Sequence, residues 1–243
     1  MVRPDLLHKW PRALIFPIAL VIVLFVASAC VPRTFTLRYR LAVSVETPGG
    51  TRSGSSVLEA TYDWPFWDRF FGIGERKYTV TGESVVVRLD DGRDLLVLVT
   101  SDFSKSKHGT DASRLPIFVY QLSMKRERIE EELKKVRKVG TVDISPEMLP
   151  TMVVFADAAD PKSVKLVDPA DLSAALGVGY SFKRAFIEPT DAPLTDILES
   201  ELPWLRALNG SDPPLSQNFA DQAENPLLRL QRRQFKARNG LLP

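Results

Sequence analysis

Thiols and imidazoles are scarce in this sequence: one cysteine, Cys30, and two histidines, His8 and His108, among 243 residues. A single thiol can close no intramolecular disulfide and build no cysteine-based zinc site. His8 precedes a long apolar run, so His108 is the one imidazole left to the rest of the chain. It sits in SDFSKSKHGTDASR, a polar stretch that reads as a loop, and no nucleophile-elbow pattern exists to pair with it. Gly72-Ile73-Gly74-Glu75 lacks the Lys and following Ser/Thr of a phosphate-cradling loop. Charge of one sign is lacking as well. Lys and Arg number 32 against 30 Asp and Glu, a net charge of +2 with the two signs mostly interleaved. Nucleic-acid binders concentrate their cations on one face, so no nucleic acid is expected as a partner.

Asp157, Asp160, Asp168 and Asp171 invite a calcium or magnesium reading. Hard cations want several oxygen ligands at tight spacing, but three of these acids stand in turn or cap positions where Asp serves the backbone. The glycine and final glutamate of a calcium loop are missing too. Neither a metal nor a cofactor is expected.

What the chain does have is Ala13 to Pro32, twenty residues without a charge, behind the basic leader of residues 1–12. About 20 apolar residues rising 1.5 Å each match a hydrocarbon core of ~30 Å, so the run can cross a bilayer. It can also serve as an export signal. Ala27-Ser28-Ala29 fits a signal-peptidase site, and with Cys30 it resembles a bacterial lipobox whose cysteine is acylated. The run is longer than the usual ~7–15-residue signal core, which favours a retained anchor. Each fate puts the body outside the cytoplasm, and the first expectation is a single-pass inner-membrane protein facing the periplasm or exterior. Cys30 is the candidate lipidation site.

The body, residues 33–208, is expected to be α+β, mainly antiparallel sheet with a few short helices, behind one N-terminal transmembrane or signal helix. With 44 % hydrophobic residues it can bury a real core. Phe35, Leu37, Tyr39, Leu41, Val43 and Val45 alternate with more polar residues, the two-residue period of a half-buried strand. Pro48-Gly49-Gly50 turns the chain and Ser55 to Tyr62 returns. Val85–Leu89 and Leu95–Val99 flank Asp90-Asp91-Gly92-Arg93, a second hairpin. Ile117 to Tyr120 reads as a further strand.

Between the hairpins, Trp64, Phe66, Trp67, Phe70 and Phe71 crowd into eight residues. They either plug one end of the sheet core, the commoner role of aromatics, or form a surface for the membrane or a partner. Met124 to Val139 reads as a helix with the apolar stripe Ile129, Leu133 and Val136. Its seven Lys/Arg against four Glu can be read as a basic surface for anionic lipid, but the mixed charges suit a solvated face better. Beyond a possible sub-boundary at 140–149, Met152–Phe155 and Phe182–Glu188 read as strands. Asp168-Pro169 opens a helix through Leu176, and Pro193 to Leu202 forms another. The tail, 209–243, loses periodicity and is expected to be disordered.

Leu149-Pro150-Thr151, Phe155, Asp157, Asp160-Pro161, Ser163-Val164, Val167-Asp168-Pro169, Leu172 and Leu202-Pro203-Trp204-Leu205 form a spaced pattern. With Gly54 to Val57 it resembles a family of uncharacterised bacterial membrane-associated proteins. The resemblance implies a shared fold and brings no activity with it. The expected function is therefore a non-catalytic envelope module, tethered to the membrane, that binds another envelope protein or lipid. The alternative is a lipid-anchored or soluble periplasmic enzyme built on paired carboxylates.

Overall fold

The computed structural model describes residues 33–64, 76–105, 108–125, 127–206, 208 and 213–237. The apolar run 13–32 with Cys30, and the aromatics Phe66, Trp67, Phe70 and Phe71, lie outside these residues. Among the described residues no helix is long and apolar enough to cross a membrane. Contacts divide the chain into two units, Phe35–Tyr62 with Tyr78–Pro243, and Met1–Thr34 with Asp63–Lys77. In the smaller one, the Thr34 hydroxyl donates to Asp63 at 2.6 Å, and Trp64 is buried.

The architecture is α+β with antiparallel sheets and short helices, as the alternating runs predict. Strand β1 (Arg33–Thr47) and strand β2 (Gly50–Trp64) are joined by Pro48 and Gly49. Gly50 has φ +117°, a value that L side chains rarely adopt. Along β1 five of the six predicted residues, Leu37, Tyr39, Leu41, Val43 and Val45, are buried and Phe35 is half-buried, while Ala42 and Thr47 are buried as well. Strand β3 (Lys77–Glu83) lies against β2, and Ser84 alone separates it from β4 (Val85–Arg88). The second hairpin forms as read: β4 pairs with β5 (Asp94–Val97), Val85 opposite Val97 and Val87 opposite Leu95.

Four more strands complete the sheets: β6 (Val142–Ile144), β7 (Met152–Phe155), β8 (Val164–Val167) and β9 (Ser181–Pro189). With β10 (Lys236–Ala237) they give a six-stranded sheet ordered β10-β3-β2-β1-β9-β6 and a four-stranded sheet ordered β4-β5-β7-β8. Residues on both sides of 140–149 belong to one unit. Strands β5 and β7 are buried at every position, which is why their runs are continuously apolar rather than alternating.

The helices are α1 (Leu115–Val119), α2 (Ile129–Val139), α3 (Ser173–Leu176), α4 (Leu198–Glu201), α5 (Phe219–Glu224) and α6 (Arg232–Phe235). Several correct the sequence reading. Ile117–Tyr120 is not a strand, because Pro116 in the first turn presets helical φ and α1 forms instead. Helix α2 starts at Ile129 rather than Met124, whose φ of 52° is left-handed and cannot continue a helix. The Asp168 carboxylate takes the Ala170 N–H at 2.9 Å in a turn of its own, so α3 begins only at Ser173. Only Leu198–Glu201 of Pro193–Leu202 is helical.

The largest correction concerns the tail. Residues 213–237 are folded, and Leu215, Leu227, Leu228, Leu230 and Phe235 join Leu198, Leu202 and Leu205 over Leu96, Leu98, Val153, Phe155 and Val164 of the four-stranded sheet. Phe155, Trp204 and Phe235 meet pairwise with centroids 5.5–6.2 Å apart. The segment escapes a periodicity reading because its apolar residues sit in one-turn helices and a 3-10 turn (Pro226–Arg229), each too short to show a stripe. Phe235 is fully buried, so Phe235→Ala should cost ~3–5 kcal/mol in equilibrium unfolding. A loss under ~0.5 kcal/mol, the size usual for surface positions, would mean that the segment is not core.

Candidate functional site

A cleft of about 540 Å³ lies between the first residues of β1, the end of β9 and one flank of α2. Arg38 comes from β1, Leu133, Lys134 and Arg137 from α2, and Asp191 from just beyond β9. Register explains why these ends meet: Tyr39 is opposite Pro189, so Arg38 and Thr190 both lie just past the last paired rung. Arg38 is held there by Glu59 at 2.8 Å and donates to the Ala192 carbonyl at 3.3 Å. Arg137 reaches Asp191 at 3.4 Å, with both side chains mostly exposed. Such a pair contributes little to stability.

Helix α2 sorts its charges along its axis. Glu130, Glu131 and Glu132 fill the first turn, and Lys134, Lys135, Arg137 and Lys138 follow with no acid among them. That order suits the helix dipole, and Gly140 at φ 72° ends the helix. Of the acids Glu132 is buried, and its carboxylate accepts the Ser123 N–H at 2.8 Å and the Ser123 hydroxyl. A second hollow, about 320 Å³, lies on that flank between Tyr120, Ser123, Glu132, Val136 and Val139. Burial pushes the Tyr120 phenol up to about 12, and it donates to the Gly140 carbonyl at 2.8 Å. The cleft sets three cations, Arg38, Lys134 and Arg137, beside two carboxylates, Glu130 and Asp191.

The residues singled out from sequence are scattered. Trp64 is 1 % exposed at the end of β2, which fits the core reading at that position. His108 is exposed in a turn, its carbonyl taking the Thr110 hydroxyl at 3.0 Å. Asp157, Asp160 and Asp171 accept the backbone N–H groups of Ala159, Lys162 and Ala174, as Asp168 accepts that of Ala170. One oxygen of each is thereby engaged in a turn.

Sequence reading missed a buried charge junction. Glu83 at the end of β3 is 0 % exposed, and one oxygen accepts the Ile197 and Leu198 N–H groups at 2.6 and 3.1 Å, at the start of α4. Its other oxygen is 3.6 Å from Lys236 Nζ, which also contacts Asp196 and lies 3.4 Å from Glu199. Arg232 closes the set on Glu199, and that carboxyl is held below its ordinary range chiefly by the Arg232 hydrogen bond. Nothing local marks Glu83 and Lys236 as partners, since they come from opposite ends of the body.

The alternative of paired carboxylates directs attention to Arg88, which bridges Asp94 at 3.5 Å and Glu201. None of these three lines either hollow. Asp94 is buried, and burial pushes its carboxyl above the ordinary value. Three residues away Asp91 moves the other way, down to about 2, under the hydrogen bond from Arg93. The two contribute opposite slopes to stability. Asp91 is ionised more readily in the fold, so its contribution is present above pH ~3.8 and is lost as pH falls towards about 2. Asp94 binds its proton more tightly when folded, so its contribution is present below pH ~3.8 and is lost as pH rises through its raised value. Acid titration of stability should therefore lose its low-pH fall in part with Asp91→Asn, while Asp94→Asn should raise stability at neutral pH relative to acid. Unchanged profiles in both variants would contradict the assigned environments.

No family model, no curated protein and no solved structure matches the chain.

Proposed function

We infer that this is a membrane-tethered extracytoplasmic protein whose α+β body is a non-catalytic module binding an envelope protein or a lipid, and that it belongs with the bacterial membrane-associated family its motifs resemble. The observation that carries the reading is the uncharged run from Ala13 to Pro32, which leads with no intervening linker into β1 at Arg33. A chain that leaves a bilayer there is already in its first strand. The content of the cleft supports a binding role: three cations, Arg38, Lys134 and Arg137, outnumber the two carboxylates Glu130 and Asp191 in an open hollow, while the buried acids elsewhere are engaged by Lys236, Arg88 and Ser123. An enzyme of the paired-carboxylate type would draw on Glu130 and Asp191, or on the Asp94–Arg88–Glu201 trio, which faces neither hollow.

The test is a reporter fused after Pro243, because residues 213–237 are part of the folded body and a fusion inside them would unfold it. A phosphatase that matures only outside the cytoplasm should be active, and the protein should sediment with membranes through an alkaline wash. Activity of a cytoplasm-only reporter would overturn the reading. Fatty-acid labelling that vanishes in Cys30→Ser would assign the tether to an acyl chain, and an unlabelled parent that still sediments would assign it to the helix.

A further inference from the structure

The cations of α2 are little used by the body: Arg137 meets Asp191 in an exposed contact. Lys134, Lys135, Arg137 and Lys138 are all exposed, and spacings of three and four residues set Lys134, Arg137 and Lys138 on one side of the helix, within an arc of about 100°. Read over Met124–Val139, the charges are mixed; over α2 alone they are segregated, with every acid in the first turn. The basic end finishes at Val139, itself 60 % exposed, an apolar side chain beside a row of cations. Long basic side chains with an adjacent apolar residue are the composition that rests on a membrane surface.

Position along the chain selects the partner. Lys134 and Arg137 share the cleft with Thr36, Leu37 and Arg38. Thr36 is four residues beyond Pro32, the last residue of the uncharged run. Four extended residues span at most ~14 Å, so for a run that ends at the bilayer surface Thr36, in the cleft lining, lies within that distance of the headgroups. Electrostatic attraction acts over ~8–10 Å at physiological salt, and basic residues held beside a bilayer bind anionic lipid. The opposing charges are few. Asp191 pairs with Arg137 in an exposed contact, and Glu130 lies one turn back.

We propose that the C-terminal half of α2 docks on anionic phospholipid headgroups of the membrane from which the chain emerges. This rests on the tethered reading above and adds the surface by which the body lies down on its own membrane. The tether supplies a high effective concentration, so a patch of three or four cations suffices for docking without independent membrane affinity.

Hydrogen exchange of the full chain in lipid nanodiscs tests it, with discs of phosphatidylcholine compared with discs in which part of the lipid is phosphatidylglycerol. The amides of residues 133–139 should exchange at least ~3-fold more slowly on the anionic discs, and the difference should vanish near 1 M salt, where the screening length falls to ~3 Å. Strand β7 serves as the internal control and should exchange alike on both. The variant Lys134→Glu, Arg137→Glu, Lys138→Glu should keep the protection of β7 and lose the difference in α2. Retention in both discs with equal exchange in α2 would overturn the docking alone. A difference that survives the triple variant would overturn it as well. Failure of the full chain to enter either disc would overturn the tether, and the docking with it.

Discussion

Glu83 is the residue on which the rest of this structure leans. A carboxylate with no solvent exposure is costly unless charge and hydrogen bonds replace its lost water. Here one oxygen takes two backbone N–H groups at the start of α4 and the other faces Lys236. One side chain thus fixes three things: the end of β3, the chain turn into α4 and the last strand, β10. The next residue, Ser84, carries the chain from one sheet to the other and donates both its N–H and its hydroxyl to the Phe235 carbonyl, at 2.8 and 2.9 Å. The C-terminal segment is held at this crossing by charge and backbone together, and its leucines cover the four-stranded sheet from there.

That fastening shapes what the body can do. Glu83, Asp94 and Glu132 are engaged inside the body, and the open cleft carries Arg38, Lys134 and Arg137 beside Glu130 and Asp191. The Asp90 carboxylate illustrates the same economy at the opposite end of β1. It takes the Gly49 N–H at 2.9 Å, the Thr47 hydroxyl and Arg52, binding the tip of the first hairpin to the turn of the second.

The sheets were largely readable from sequence because both hairpins are local. Alternation in β1 and the Asp-Gly turn between β4 and β5 each carry their own signal within a dozen residues. The helices were less readable: Pro116 and the left-handed Met124 decide where α1 and α2 begin, and a pattern of apolar residues is blind to both. The candidate site was hardest. The cleft needs Arg38, Lys134 and Asp191 from three distant segments, and the α2 cations stand out only once the helix is known to start at Ile129. The Glu83–Lys236 contact is wholly tertiary, and it falls in a tail expected to be disordered.

The fastening at Glu83 is tested most directly by a double-mutant cycle of Glu83→Gln and Lys236→Met, followed by equilibrium unfolding of the full chain in detergent. Lys236→Met leaves the buried Glu83 carboxylate without its cation and should cost ~3–5 kcal/mol, whereas Glu83→Gln leaves Lys236 with Asp196 and Glu199 and should cost less. The double variant should lose less than the sum, with a coupling of at least ~1 kcal/mol. Single losses below ~0.5 kcal/mol that simply add would contradict the account, because the junction would then hold nothing together.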